Sequence, residues 1–171
     1  MSPHPPAEHI LEGLSVMALE IARSQTARTS AALFARICLS AVYLYSAIGK
    51  LLDPPGGLAE VTGLGLPAPR LFLVLTILVQ LGAGLMVLLG FWTRLAAFLL
   101  LGFTIIATAL AHNPTGLIGT EFQHQLTTSL EHLAIVGGFI LIIADGAGPA
   151  SIDGWIARRA NRRTMRCTLQ L

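Results

Sequence analysis

Charged residues are scarce in this sequence. Asp, Glu, Lys and Arg make up 12% of the 171 residues, against roughly 25% in soluble domains. Hydrophobic residues make up 54%, and the mean hydropathy is +0.71. These values exclude an ordinary soluble fold and predict a chain whose main solvent is lipid. The segments left outside the membrane are too short to bury a catalytic core of their own.

Cysteine and catalytic motifs are equally scarce. Cys38 and Cys167 lie on different segments and form no C-x-x-C pair, so we expect no thiol–disulfide relay. The sequence contains no P-loop, no G-x-S-x-G elbow and no dinucleotide fingerprint after a strand. Its start, Met-Ser-Pro-His-Pro-Pro, lacks the basic region of a secretory signal. We therefore do not expect a catalyst that acts alone.

The hydrophobic segments predict an all-α integral membrane bundle of four helices. The fourth segment has a clean apolar core of only residues 133–144, and it reaches full length only by including Glu131 and His132. An N-terminal arm (1–30), a four-span domain (31–153) and a basic tail (154–171) then follow one another. The predicted spans are Ala31–Leu52, Leu71–Trp92, Leu95–Ala111 and Leu126–Ala144.

The N-terminal arm carries an amphipathic pattern, with Ile10, Leu14, Met17 and Ile21 at helical spacing. We expect a helix that lies on the membrane surface, although it could instead dock on a partner.

Basic residues are distributed asymmetrically about the four spans. With both termini in the cytoplasm, the inside carries nine basic residues and the outside carries Lys50 and Arg70. This bias predicts cytoplasmic ends in a bacterial inner membrane. The arginine-rich tail is expected to meet anionic lipid rather than nucleic acid. The nine are Arg23, Arg28, Arg36, Arg94, Arg158, Arg159, Arg162, Arg163 and Arg166.

Polar side chains recur along single faces of the predicted spans. The first span has such a strip, the second has Gln80 near its centre, and the third ends in Thr108 and His112. Because polar groups are costly in lipid, they face the bundle interior or a wet cavity. Two explanations stay open, namely hydrogen bonds that hold helices together and a polar-lined cavity for a small ligand. The strip on the first span is Arg36, Ser40, Tyr43, Ala47 and Lys50.

Ionisable groups fall into two layers under this topology. We predict that Asp145 pairs with Arg36 or Arg94 near the cytoplasmic face, and that Lys50 meets Glu131 near the outer face. The outer layer also holds Glu121, His124 and His132. Glu121-x-x-His124 has the spacing of a di-iron helix motif, but such sites need two copies. We expect no metal there and consider proton exchange, a quinone head group or ordinary loop polarity instead.

Several motifs resemble the DoxX-like family of small membrane proteins. They lie in order from about residue 33 to residue 153. They comprise Arg36 followed by Ser46-Ala47-Ile48-Gly49-Lys50-Leu51, Gly65-x-Pro67, the run Gln80-x-x-x-Gly84 to Gly90-x-x-Thr93-Arg94-x-Ala96-Ala97, and Gly137-Gly138 with Asp145-Gly146 to Ile152-Asp153.

The resemblance implies a four-helix bundle that is associated with redox systems. Relatives in the family include the membrane subunit of a thiosulfate–quinone oxidoreductase. The family also contains chaperones and cargo receptors, so a shared fold does not decide activity. At Gln80 the chain has an amide where the resemblance leads us to expect a glutamate. An amide cannot titrate, so a buried proton carrier is disfavoured at that position.

Our leading hypothesis is a membrane subunit that supports a redox partner and holds a quinone among its helices. Lys50 and His112 would bind a quinone oxygen near the outer face, and Gln80 would donate from the middle of the bundle. Alternatives are a non-enzymatic scaffold or chaperone and a carrier of a small hydrophobic molecule. A polar-lined cavity would favour ligand binding, and a fully packed interior would favour the scaffold. The candidate ligand-binding residues are Arg36, Tyr43, Lys50, Gln80, Arg94, Thr108 and His112.

Overall fold

The computed structural model describes the backbone of residues 7–168 and the side chains of residues 12–163. Four of its helices, α1, α3, α4 and α5, are long and apolar enough to cross a membrane. The predicted all-α membrane fold with four spans is therefore confirmed. Within the described backbone there is no strand, and the helices are α1 Ala7–Leu52, α2 Pro54–Gly63, α3 Pro69–Leu89, α4 Thr93–Ala111, α5 Gly119–Asp145 and α6 Ile152–Thr168.

The four spans pack in a ring. α1 packs mainly on α3, α3 on α4, and α4 on α5, while α5 closes the ring with a lighter contact to α1. Two glycines allow the close approaches. A Cβ on Gly84 would lie 3.1 Å from the Leu44 side chain, and one on Gly138 would lie 3.1 Å from Leu39. Small residues thus bring α3 and α5 against α1, as in other membrane helix pairs.

The helix boundaries follow the predicted spans closely. α5 is one continuous helix through Glu131 and His132, which confirms the extended fourth span. α3 ends at Leu89, earlier than the predicted Trp92, because Gly90 takes a left-handed conformation with φ 70°. Glycine adopts this conformation without the strain of a side chain and commonly ends helices.

The N-terminal helix is not a separate surface element, which corrects the prediction. It continues without a break into the first span, giving α1 46 residues. At 1.5 Å per residue α1 is about 69 Å long, roughly twice the bilayer core. No proline or glycine interrupts the chain between Arg23 and Ala31, so nothing ends the helix there. The side chains of Ile10, Leu11, Arg166 and Cys167 lie outside the described residues.

Two shorter helices were not predicted. α2 begins directly after the break at Asp53, whose carboxylate caps the helix by accepting the Gly56 N–H at 3.0 Å. Pro54 and Pro55 occupy the first turn, where their fixed φ favours a helix. α6 places the basic tail on a helix that exposes Trp155 and Ile156.

The interior differs between the two ends of the bundle. We call the end where α2 lies the α2 end, and the end where the α3–α4 turn meets α6 the α6 end. The buried apolar core lies toward the α6 end, and the α2 end holds a cavity that is described below. The core comprises Tyr43, Ala83, Val87, Ala96, Ala97, Leu100, Phe139 and Ile142.

Candidate functional site

The buried arginine of α1 lies at the α6 end and not in the cavity. Arg36 is 1% exposed, and its guanidinium donates to the carbonyl of Leu88 at 3.3 Å and to that of Ala150. These carbonyls belong to the end of α3 and to the segment before α6, where helix ends leave acceptors unpaired. Arg36 therefore joins three parts of the chain, and it does not line the cavity described below.

The predicted ion pairs of Asp145 do not form. Arg94 donates to the Ala144 carbonyl at 3.2 Å, and Arg36 reaches carbonyls instead. An ion pair within 4.0 Å does join Lys50 to Glu60. Asp145 is exposed, so water can solvate its carboxylate and no ion-pair partner is needed.

The acid that bonds to other parts of the chain at the α6 end is Asp153 and not Asp145. Its carboxylate accepts the backbone N–H groups of Trp92 and Thr93 at 3.0 Å each and the Thr93 hydroxyl at 2.8 Å. Its own N–H donates to the Gly90 carbonyl at 2.9 Å. The first turn of α6 thereby caps the start of α4, where free N–H groups and the helix dipole favour an anion.

A cavity of about 400 Å³ lies between the four spans at the α2 end, with α2 beside it. Its wall is mainly aliphatic and aromatic. Phe72 and Leu75 of α3 and Ile106 and Leu110 of α4 line it and are also exposed. These four residues therefore border the cavity and also lie at the outer surface of α3 and α4. The polar residues in its lining are Tyr43, Ser46, Lys50, Glu60, Thr76, Gln80, Thr104, His112 and His132.

Lys50 bonds to α2 rather than to α5. Its ammonium lies 2.9 Å from the Glu60 carboxylate and donates to the Ser46 hydroxyl at 3.3 Å. The predicted pair with Glu131 is wrong, because α2 was not foreseen and brings a nearer acid. The Lys50 side chain is 12% exposed and that of Glu60 is 60% exposed, so the pair sits at the rim of the cavity.

Two histidines form the other polar part of the α2 end. The His112 and His132 rings meet edge to face, with centroids 5.1 Å apart. His132 Nδ1 lies 2.7 Å from the Thr108 hydroxyl, and His112 Nδ1 lies 3.0 Å from Gln125 Oε1. Thr108 does not line the cavity, so it acts on the site by orienting His132.

Two polar groups lie deeper in the cavity. The Tyr43 hydroxyl is 2.5 Å from the Thr104 hydroxyl. Gln80 is 6% exposed, and its Oε1 is buried without a hydrogen-bond partner. Buried polar atoms are nearly always paired, and an unpaired one costs about 1–3 kcal/mol. Gln80 therefore leaves one buried acceptor unpaired beside the cavity.

The weak metal candidates are not brought together. Glu121 accepts a hydrogen bond from Gln125 at 3.2 Å, and His124 is exposed. His132 lies eight positions further along α5, about 12 Å away along the axis. Across the part of the chain that the structure describes, no group of three or more His, Cys, Asp or Glu side chains could hold a metal ion.

The structure thus unites part of the predicted site. Tyr43, Lys50, Gln80 and His112 line one cavity, and Arg36 and Arg94 lie at the opposite end. Glu60, Thr104 and His132 also line the cavity, although none of them was among the candidate ligand-binding residues. Thr104 lies four residues before Thr108 on the same polar strip of the third span, and Glu60 and His132 were placed in the outer layer of ionisable groups.

Comparison with known proteins gives the family. Residues 31–113 match the DoxX family. The inner membrane protein YqjF of Escherichia coli (strain K12) is 33% identical over 123 residues, which cover 71% of this chain and 88% of the relative. The chain belongs to the DoxX family. This DoxX protein matches no solved structure.

Two further relatives resemble this DoxX protein over most of their length. The inner membrane protein YphA of Escherichia coli (strain K12) is 25% identical over 127 residues, covering 74% of this chain and 91% of the relative. An uncharacterized membrane protein of Mycobacterium tuberculosis (strain ATCC 25618 / H37Rv), Rv3486, is 30% identical over 131 residues, covering 73% and 80%. The matches agree with a multi-pass membrane protein.

Proposed function

We propose that this DoxX-family protein binds a small, mostly apolar molecule of the quinone class and supports a redox partner in the bacterial inner membrane. The observation that carries the proposal is the polar-ended cavity between the spans. A fully packed interior would have favoured a scaffold, and the α2 end is not fully packed.

The size and lining of the cavity suit such a molecule. Ligand pockets commonly measure about 300–1,000 Å³ and combine apolar walls with a few polar groups. Here the volume is about 400 Å³, enough for a ring and part of an apolar chain. Lys50, His112 and His132 offer polar contacts at the α2 end, and the Gln80 side chain lines the cavity deeper in.

An opening between α3 and α4 would give the ligand a route into the cavity. A lipophilic molecule dissolved in the bilayer would enter past Phe72, Leu75, Ile106 and Leu110 without crossing water. The arginine-rich α6 end is the cytoplasmic side under the positive-inside rule. The cavity then belongs to the outer half of the membrane, and both termini lie in the cytoplasm.

A second candidate, docking of a protein partner, is favoured by the N-terminal part of α1. Leu14, Met17 and Ile21 are more than half exposed there, so they leave an apolar surface for a partner. A redox subunit would need such a surface as well. The two candidates differ in whether the protein retains a ligand.

Extraction of lipids from the purified full-length protein tests the proposal. We expect a quinone or its hydroquinone in the extract by mass spectrometry. Its amount should fall at least about tenfold in Lys50→Ala and His112→Ala, since each lost polar contact costs about 1.4 kcal/mol. His124→Ala is the matched control, because His124 is exposed and does not line the cavity. An extract without quinone, from a preparation in which another protein stays stably bound, would overturn ligand binding in favour of the scaffold.

A further inference from the structure

The hydrogen of the Thr108 hydroxyl fixes the tautomer of His132. Thr108 Oγ1 lies 2.7 Å from the Thr104 carbonyl oxygen. A carbonyl only accepts, so the single hydroxyl hydrogen is used there. Toward His132 Nδ1, at 2.7 Å, Thr108 can only accept. Nδ1 of neutral His132 therefore carries the hydrogen, and Nε2 is left as an acceptor.

A chain of three side chains fixes His112 in the same way. Gln125 Nε2 donates to Glu121 Oε1 at 3.2 Å, which orients the amide because a carboxylate only accepts. Gln125 Oε1 then faces His112 Nδ1 at 3.0 Å. Nδ1 of neutral His112 must donate, so its Nε2 is also left as an acceptor.

The α2 end of the cavity is therefore rich in acceptors. Two imidazoles with centroids 5.1 Å apart both offer Nε2 lone pairs. The Lys50 ammonium has three N–H groups, of which Glu60 and Ser46 take two. A quinone carbonyl could use only the remaining N–H, whereas a hydroxyl could accept from Lys50 and donate to an imidazole.

The deeper polar groups do not reverse this preference. Thr104 Oγ1 lies 2.6 Å from the Leu100 carbonyl, so Thr104 accepts from Tyr43, and the Tyr43 hydrogen is used inside the protein. The Gln80 amide contains both a donor and an acceptor, and it suits either kind of oxygen.

We propose that the cavity recognises a ring bearing hydroxyl groups, an aromatic diol of the hydroquinone class, in preference to the corresponding quinone. This inference rests on the proposed function and adds the oxidation state of the ligand. His112 and His132 are then the groups that accept from the ligand, and Thr108 and Gln125 are positioning residues that hold the two tautomers.

The test compares one short-chain hydroquinone with its own quinone. Equilibrium binding to the full-length protein would be measured in detergent at about pH 8, above the ordinary pKa of histidine. We expect the hydroquinone to bind at least about tenfold more tightly, the equivalent of one additional hydrogen bond. Equal binding, or tighter binding of the quinone, would overturn this inference but not the proposed function. Failure of both forms to bind would overturn the two together.

Thr108→Val tests the positioning step. Removing the acceptor leaves His132 free to place its hydrogen on Nε2, so we expect the preference for hydroquinone to fall while quinone binding is retained. Thr127→Val is the matched control, because Thr127 is an exposed threonine that bonds only to its own helix, at the Gln123 carbonyl. A preference that survives in Thr108→Val would contradict the assignment.

A spectroscopic measurement on the unmodified protein serves if Thr108→Val does not fold. The ¹⁵N NMR signals of the ring nitrogens distinguish protonated from unprotonated positions. We expect His112 and His132 to show a hydrogen on Nδ1 and none on Nε2. Hydrogen on Nε2 of both rings would overturn the proposal.

Discussion

Asp153 shows how one side chain can join two elements. Burial alone would raise the pKa of its carboxyl, but the hydrogen bonds from Thr93 and Trp92, together with the positive charge of Arg36, hold the pKa below its usual value. The charged form is therefore favoured in the folded protein. Because the carboxylate is only partly buried, water weakens these bonds, and together they stabilise the folded protein by about 1–3 kcal/mol.

Asp153→Asn is expected to lower the free energy of unfolding at neutral pH by about 1–3 kcal/mol. Because the folded pKa lies below the unfolded value, the contribution is present in full above the unfolded pKa of about 3.9 and is lost as pH falls through the folded pKa. Thermal unfolding of the parent protein and of Asp153→Asn, in detergent at about pH 7 and about pH 3, checks this.

The control for that measurement is Asp145→Asn, because Asp145 is exposed and has no ion-pair partner among the described residues. It should unfold like the parent protein at both pH values. An Asp153→Asn protein that matches this control at neutral pH would contradict the capping role.

The hydrogen-bond and ion-pair partners of individual side chains were the least predictable feature of the site. The helical spacing of Tyr43 and Lys50 placed both on an interior face, and both line the cavity. Their partners depended on neighbours that spacing does not reveal. Lys50 bonds to Glu60 because an unforeseen helix carries that acid, and Arg36 satisfies carbonyls because helix ends meet beside it.

At the scale of elements, the α3–α4 turn is the most constrained connection. Gly90 has φ 70°, and a Cβ there would lie 2.2 Å from Arg36 Nη1 and 2.4 Å from Ser151 Cβ. A side chain would be strained by its backbone and would also displace the groups that hold α6. The turn can therefore form as it does only with glycine at this position.

Gly90→Ala is expected to destabilise the protein by more than about 1 kcal/mol, because the native conformation is incompatible with a side chain. Gly102→Ala is the matched control, since a Cβ at Gly102 meets nothing within 4 Å and alanine favours a helix. Unfolding in detergent would be followed by circular dichroism. Equal stability of the two variants would contradict the constraint.

Hydrophobic length predicted the four long helices well, because lipid requires each span to satisfy its own backbone. The short helices were harder. The sequence Asp53-Pro54-Pro55 ends α1 and also begins α2, because an acidic cap followed by proline is a helix start signal. The continuous α1 was missed because the change from an amphipathic to an apolar pattern was taken as a boundary.

The whole molecule is packed at one end and hollow at the other. Ala83, Ala96 and Ala97 allow close packing toward the α6 end, where Asp153 and Arg36 tie α6 to the bundle. At the α2 end, polar groups on different helices surround the cavity. The sequence predicted polar strips but could not decide between helix contacts and a cavity, because that choice depends on how far apart the helices stand.

One binding measurement tests the claim that the ligand binds in the cavity. The full-length protein, Ala107→Trp and Ala109→Trp would be titrated with the same short-chain hydroquinone in detergent. Ala107 lines the cavity, and Ala109 lies exposed on the same helix outside its lining. We predict that Ala107→Trp weakens binding at least about tenfold, or by about 1.4 kcal/mol, and that Ala109→Trp binds like the parent protein. Unchanged binding in Ala107→Trp would show that the ligand does not occupy this cavity.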